Sequence, residues 1–362
     1  MFKRKTSAIA GGALAALGLL FAAPQAVAAP AVPVMPVMPA VPAVPEMPAL
    51  PGIPDPPEYP EVPHPHDATT GNGPGAVDAK DATAQAEKNP RMAPVGADDW
   101  DCAPTAEHPT PVVLVHGTWG NSYGAWSGLA PQLKEDGYCV FAPNLGEADF
   151  ATRGGVQSLG PGVFATKDIA LTAADLAEYV DAVLEATGAS QVDMVGHSQG
   201  GLLARQYLKF NGGAEKVRTL VTLGATNHGT TLNGLGTLDR TIGDLGLDLE
   251  PGLDYIIGEA GIQQVYDSPL LTALNADGDT MPGVNYTVIG SRYDKTTTPY
   301  ETTFLTAGPG ATVDNIVLQD GCERDMSGHG MTYSPRVIDL VRNALTPGSV
   351  EQVRCEPVAP AM

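Results

Sequence analysis

The sequence predicts an α/β fold, doubly wound around a mostly parallel sheet and preceded by an extended proline-rich segment. Three observations carry this. Short branched apolar runs recur from residue 111 to 319, helical patterns separate them, and a strict three-residue proline period occupies the chain upstream.

The elements follow in order. Lys3, Arg4 and Lys5 precede an apolar run from Ile9 to Ala23, and "AVA" at 26–28 has the small residues of a cleavage site. Residues 1–28 therefore read as a secretory signal peptide, too short and wrongly flanked for a membrane span. No cysteine follows the cleavage site and no later stretch is apolar enough to cross a bilayer, so an exported, soluble chain is expected. Losing the signal takes the 20 basic residues to 17 against 41 acidic ones, a net charge near −24. Such a surface repels nucleic acid and anionic membranes and reads first as a solubility charge.

Proline stands at 30, 33, 36, 39, 42, 45, 48, 51 and 54. Polyproline II has three residues per turn, so these prolines form one edge of a semi-rigid spacer over 30–66. Contact with the cell envelope and a solvated leader without a partner are equally open readings of it. Residues 67–97, polar and rich in Gly and Ala, read as a flexible linker, completing a stalk-and-linker region of 29–97. The globular domain is expected over 98–362.

Within that domain "PVVLV" (111–115), "YCVFAP" (138–143), "VDMVG" (192–196), "VRTLVTLG" (217–224), "YTVIG" (286–290) and "NIVLQ" (315–319) are predicted strands. Runs without alternation suit strands buried on both faces of a parallel sheet. Helices are predicted at about 125–136, 168–187, 200–210 and 335–345, and alternation of the two types gives the fold class.

Four cysteines remain, Cys102, Cys139, Cys322 and Cys355. An even number in an oxidising compartment points to two disulfides. Three pairings are open; Cys102–Cys139 and Cys322–Cys355 are favoured because each joins segments that the predicted fold brings together. Neither a metal-ligand cluster nor a cofactor motif is seen, so no metal and no cofactor are expected.

Two serines sit in G-x-S-x-G strings, Ser122 in "GNSYG" and Ser198 in "GHSQG". A nucleophile elbow needs a strand ending at the first glycine and a helix beginning after the serine. Ser198 has both: "VDMVG" ends at Gly196 and "LLARQYLKF" follows. Gly196 and Gly200 leave room where the turn brings backbones together. Ser122 lies seven residues beyond its strand and is given a loop role. The "HG" after "VVLV" supplies the second half of an oxyanion hole, with the backbone amides of Thr118 and Gln199 as donors.

The base must be one of seven histidines. His64 and His66 lie in the stalk, His108 precedes the first core strand, His116 belongs to the oxyanion loop and His197 adjoins the nucleophile. The chain order Ser, acid, His leaves His228 and His329. His228 comes too early to leave room for an acid at a later strand end, so His329, on the Gly-rich "DMSGHGMTYSP", is the expected base. Asp294, just past the "YTVIG" strand, is the expected acid, in preference to Asp320 and Asp325. Asp294 would orient the imidazole while His329 takes the Ser198 proton.

Between "HGTT" and "GVNY", residues 229–282 form a long insertion. Leu232, Leu235, Leu238, Ile242, Leu245 and Leu249 recur at helical spacing, as a lid over an acyl pocket or as plain core, and glycines at 234, 236, 243 and 246 weaken any helix there.

Together "VVLVHGTWGN", "LAPQLKEDGYCVFAPN", "VDMVGHSQGG", "LGATNHGT" and "VIGSRYD…TPY" resemble the secreted actinobacterial lipases of the class 2 lipase family. The resemblance covers roughly 98–356 and excludes the proline-rich segment. It implies an α/β-hydrolase fold, hydrolysis of carboxylic esters of lipid type, matching roles for Ser198, Asp294 and His329, and two disulfides at these cysteine positions. Two alternatives stay open: acyl transfer to an envelope hydroxyl by the same triad, and a non-catalytic envelope-binding protein.

Overall fold

The structure is a computed structural model and describes residues 70–72, 75–76, 78–231 and 257–360. The signal peptide, the proline-rich segment 30–66 and the Leu232–Leu249 stripe all lie outside the described residues.

Six parallel strands form one sheet: β1 (Val112–Val115), β2 (Val140–Phe141), β3 (Val192–His197), β4 (Val217–Leu223), β5 (Asn285–Gly290) and β6 (Thr312–Val317), in the order β2-β1-β3-β4-β5-β6. All neighbours pair in parallel register, as Val115 with Gly196 and Gly196 with Thr222. The order reverses at β1, with β2 on one side and β3 on the other. The strand ends flanking such a switch point are where open α/β sheets place their sites.

Alternation along the strands divides the core. Val113, Val115 and Met194 face one side, where α4 (Ile169–Thr187) and α5 (Gln199–Phe210) contribute Leu176, Val180, Leu202 and Tyr207. Val112, Leu114 and Val195 face the other, against Trp126 of α2 (Ser122–Trp126), Leu133 of α3 (Ala130–Glu135) and Val337 and Val341 of α8 (Pro335–Leu345). A continuous Val/Leu run such as 112–115 is thus the signature of burial on both faces. Helix α4 is closed at both ends by its own sequence: Asp168 accepts from the Leu171 amide, and Gly188 takes the left-handed conformation at the C-terminus.

Four expectations change. The segment 67–97 is not a linker throughout: α1 (Ala79–Lys88), capped by Asp78, buries Ala82 and Ala86 against Tyr123 and Tyr333, and Ala97 bridges Val140. The domain therefore begins by about residue 70. The helix expected at 125–136 is two helices, α2 and α3. Ser122 opens α2, behind an Asn121 cap, rather than sitting in a loop. Of the 229–282 insertion, the described part carries α6 (Glu259–Gln263) and α7 (Pro269–Asn275), with Leu271 and Leu274 in the core.

The cysteines pair as Cys102–Cys139 and Cys322–Cys355. The second bond spans the segment between β6 and the tail, which contains His329 and α8.

Candidate active site

Ser198 stands between β3 and α5 with φ 54° and ψ −127°, a conformation that costs a non-glycine residue of order 1–3 kcal/mol. A serine just before a helix normally caps it, but here the side chain makes no cap bond. The elbow also passes very close to β1: a Cβ on Gly200 would fall 2.1 Å from the Val115 carbonyl oxygen. Only glycine fits there, and this approach brings the start of α5 beside the loop that follows β1.

That loop holds Thr118. Among the hydrogen bonds of the described residues, the main-chain amides of Thr118 and Gln199 have no acceptor. Gln199 is the first residue of α5, where a helix leaves its N–H groups unpaired and presents its positive end. The two side chains do meet, with Thr118 Oγ1 donating to Gln199 Oε1 at 2.6 Å.

Asp294 lies in the turn after β5. Its Oδ1 accepts from the Thr296 and Thr297 amides at 2.8 and 2.9 Å, and its Oδ2 accepts from Nδ1 of His329 at 2.9 Å. The bond to a carboxylate puts the imidazole proton on Nδ1 and leaves Nε2 as the basic nitrogen. The Asp294 side chain is 1% exposed and that of His329 13%, so the pair is shielded while the ring edge stays accessible. Gly224, at the end of β4 with φ +54°, makes the space, since a Cβ there would lie 2.9 Å from Asp294 Oδ2.

His329 is brought next to the elbow by His197, whose Nε2–H donates to the His329 carbonyl oxygen at 2.8 Å, with ring centroids 4.8 Å apart. Burial and the neighbouring His329 push His197 down to about 3, so it stays neutral and keeps that donor. The Ser198 Oγ to His329 Nε2 contact is not among the hydrogen bonds of the described residues. Such bonds are often long until substrate is bound.

The other sequence candidates have different partners. Asp320 is an exposed surface residue paired with Arg292. Asp325 is fully buried and accepts from the Ser327 amide and hydroxyl and from Ser334 Oγ, so it organises the loop that carries His329 without touching the ring. His228 bonds Thr302 O and Asp279 Oδ1. Ser122 is buried, its amide bonded to Asn144. His116 is structural: the Leu145 amide donates to Nε2, Nδ1–H donates to Gly117 O, and burial lowers it to about 4.

Sequence reasoning set His197 aside as a neighbour of the serine and weighed Asp325 only as the acid; their contacts, to the His329 carbonyl and within the loop that carries His329, are ones that no local pattern encodes. Among the described residues, no group of three or more His, Cys, Asp or Glu is placed to hold a metal ion. A recess of about 560 Å³ around Cys322 and Cys355, lined by Arg292, Asp320, Glu323 and Arg324, includes none of Ser198, Asp294 and His329.

Residues 110–240 match the family model described as the alpha/beta hydrolase fold. A triacylglycerol lipase of Pseudarthrobacter phenanthrenivorans is 32% identical over 125 residues, 33% of this chain and 34% of that protein. A triacylglycerol lipase of Burkholderia plantarii is also 32% identical over 125 residues, 33% of this chain and 30% of that one. The chain thus matches about a third of the length of these relatives. Among solved structures, Aspergillus fumigatus lipase B superposes with a TM-score of 0.53 at 18% identity, covering 77% of this chain and 60% of that one. Sheet order, elbow and family match agree: the described chain has the α/β-hydrolase fold.

Proposed function

We propose that this chain is an exported serine ester hydrolase of the lipase or carboxylesterase type, with Ser198 as nucleophile, His329 as base and Asp294 as its orienting acid. The observation that carries the reading is the Asp294–His329 bond standing beside a serine held on a strained turn at the sheet switch point. The lipase names of the two sequence relatives support an acyl-ester or lipid substrate.

Catalysis on this geometry runs in two halves. Ser198 Oγ attacks the ester carbonyl carbon as its proton passes to His329 Nε2, and the carbonyl oxygen becomes an oxyanion facing the Thr118 and Gln199 amides. Collapse expels the alcohol, which takes the proton from Nε2, and leaves an acyl ester on Ser198. Water then gives its proton to Nε2 and attacks that ester, the acid departs, and the proton returns to Oγ. Asp294 stays ionised throughout and stabilises the imidazolium.

The signal pattern at 1–28 and the two disulfides support export. No described helix is long and apolar enough to cross a membrane. Envelope contact through residues 30–66 belongs to this proposal and predicts that deleting them moves the protein from the cell-bound to the soluble fraction.

Nitrophenyl esters of increasing acyl length, assayed below and above their solubility and with excess alcohol, test the reading. A nitrophenol burst with free acid as the main product is expected. Absence of turnover on every ester contradicts it, and acyl transfer to alcohol as the main product would replace hydrolase by transferase.

A further inference from the structure

The two proposed oxyanion donors belong to elements far apart in the chain, the loop after β1 and the start of α5. What fixes their spacing is a buried cluster of side chains outside both. Gln264, which follows α6 and is 1% exposed, shares the two hydrogens of Nε2 among three acceptors, Thr118 Oγ1 at 2.8 Å, Ala260 O at 2.9 Å and, more distant, Gln199 Oε1 at 3.2 Å. Its Oε1 accepts from Thr226 Oγ1 at 2.9 Å, which orients the amide and fixes which end donates. Its main-chain carbonyl accepts from the Thr230 amide at 3.0 Å. The Gln264 side chain thus ties the β1 loop, the nucleophile helix and the segment after β4 into one network.

The loop needs such a clamp. Trp119, directly after Thr118, has φ +56°, and strain of this kind persists only where the surroundings over-determine it. Trp119 Nε1 donates to Ile257 O at 3.3 Å, so Ile257 and Gln264, both in the described part of the insertion, hold the loop together. Gln199 depends on the same network. Its Nε2 is buried without a partner among the described residues, so its side chain is held through Oε1 alone, by Thr118 and Gln264.

We infer that Gln264 is a positioning residue for the oxyanion hole, setting the separation of the Thr118 and Gln199 amides; this rests on the proposed ester hydrolysis. Removing a whole oxyanion donor costs about 10²–10³ in kcat, and misplacing one costs part of that. Gln264→Met keeps the volume and removes the hydrogen bonds. It lowers kcat on nitrophenyl butyrate by roughly 10-fold or more, leaves KM within about twofold, and weakens phenylboronic acid, which forms a tetrahedral adduct on the serine, by the same factor as kcat/KM.

Gln263 supplies the control. Its side chain accepts from the Ile169 amide and donates to Asp168, so Gln263→Met loses stability while keeping kcat and boronate affinity. If Gln264→Met does not fold, Thr226→Val removes only the hydroxyl that orients the Gln264 amide, and a several-fold loss of both kcat and boronate affinity is expected. Unchanged kcat in the folded variant, or lost kcat with wild-type boronate affinity, overturns the inference alone. Wild-type protein without activity on any ester overturns the hydrolase reading and this inference with it.

Discussion

His228 and His329 sit on different loops, and each has a ring nitrogen 2.9 Å from an aspartate oxygen. Around His228 both nitrogens face acceptors, Asp279 Oδ1 and the Thr302 carbonyl. Burial pulls the Asp279 carboxyl upward, but the bonds from His228 and from the Thr306 amide outweigh it and hold it below its ordinary value. The Arg205 guanidinium lies 3.8 Å from the same carboxylate. Around His329 only Nδ1 is bonded among the described residues, and Asp294 takes its other bonds there from backbone amides. A histidine that closes a structural network spends both nitrogens; one fit for proton transfer keeps one free.

The largest expected effect separates Asp294 from Asp325, the buried carboxylate of the loop that carries His329. Asp294→Asn favours the wrong imidazole tautomer and lowers kcat by about 10²–10⁴, with little loss of stability. Asp325→Ala, four residues before His329, removes three hydrogen bonds from a buried loop and costs roughly 2–4 kcal/mol, so its activity loss tracks unfolding. If Asp325→Ala abolishes kcat in a fully folded protein and Asp294→Asn does not, the acid has been assigned to the wrong loop.

Next comes the tether. The Cys322–Cys355 bond closes 33 residues around His329, and the tail returns to bond Met326 N and Arg324 O through Val358. Cys355→Ser should cost about 3–4 kcal/mol on the chain-entropy model, with kcat down several-fold because the proposed base, His329, is less well placed. Cys102→Ser, which frees a segment beside β2, should lower the melting temperature with kcat unchanged. Equal kcat values for the two variants would show that the tether does not act on His329.

Buried neutral histidines give a third contrast. His116 falls from 6.5 to about 4 on folding, through burial. A depressed value stabilises the fold in full above about pH 6.5, and the contribution is lost as pH falls through about 4. Wild-type stability measured by denaturant titration should therefore fall by on the order of 3 kcal/mol more than that of His116→Asn between pH 7.5 and pH 4. Parallel pH profiles would remove His116 as the cause. The smallest effect is expected at His228: His228→Asn should cost roughly 1–2 kcal/mol and leave kcat within about twofold. A large loss of kcat with intact stability would contradict its structural role.

Much of the candidate site's placement was legible because its geometry is local. The strand–turn–helix around Ser198 carries its own glycines, and Asp294 sits where a parallel strand must end. What was not legible depends on distant partners. Helix α1 reads as linker because its face buries only Ala82 and Ala86, yet it docks through Tyr123, whose hydroxyl bonds Gln85, and through Tyr333. The split between α2 and α3 comes at Gly128, where a Cβ would lie 3.0 Å from the Tyr333 ring, a contact over some 200 residues of sequence. Strand β6 starts three residues early because it is an exposed edge, with polar residues that a core-strand pattern passes over.

The central claim is that Ser198, activated by His329, is the nucleophile. A fluorophosphonate probe, followed by proteolysis and mass spectrometry, tests it most directly. The account predicts one adduct, on the peptide carrying Ser198, formed at wild-type rate in His228→Asn and lost by orders of magnitude in His329→Ala. An adduct on Ser122, or labelling of Ser198 that persists at wild-type rate in folded His329→Ala, would contradict it.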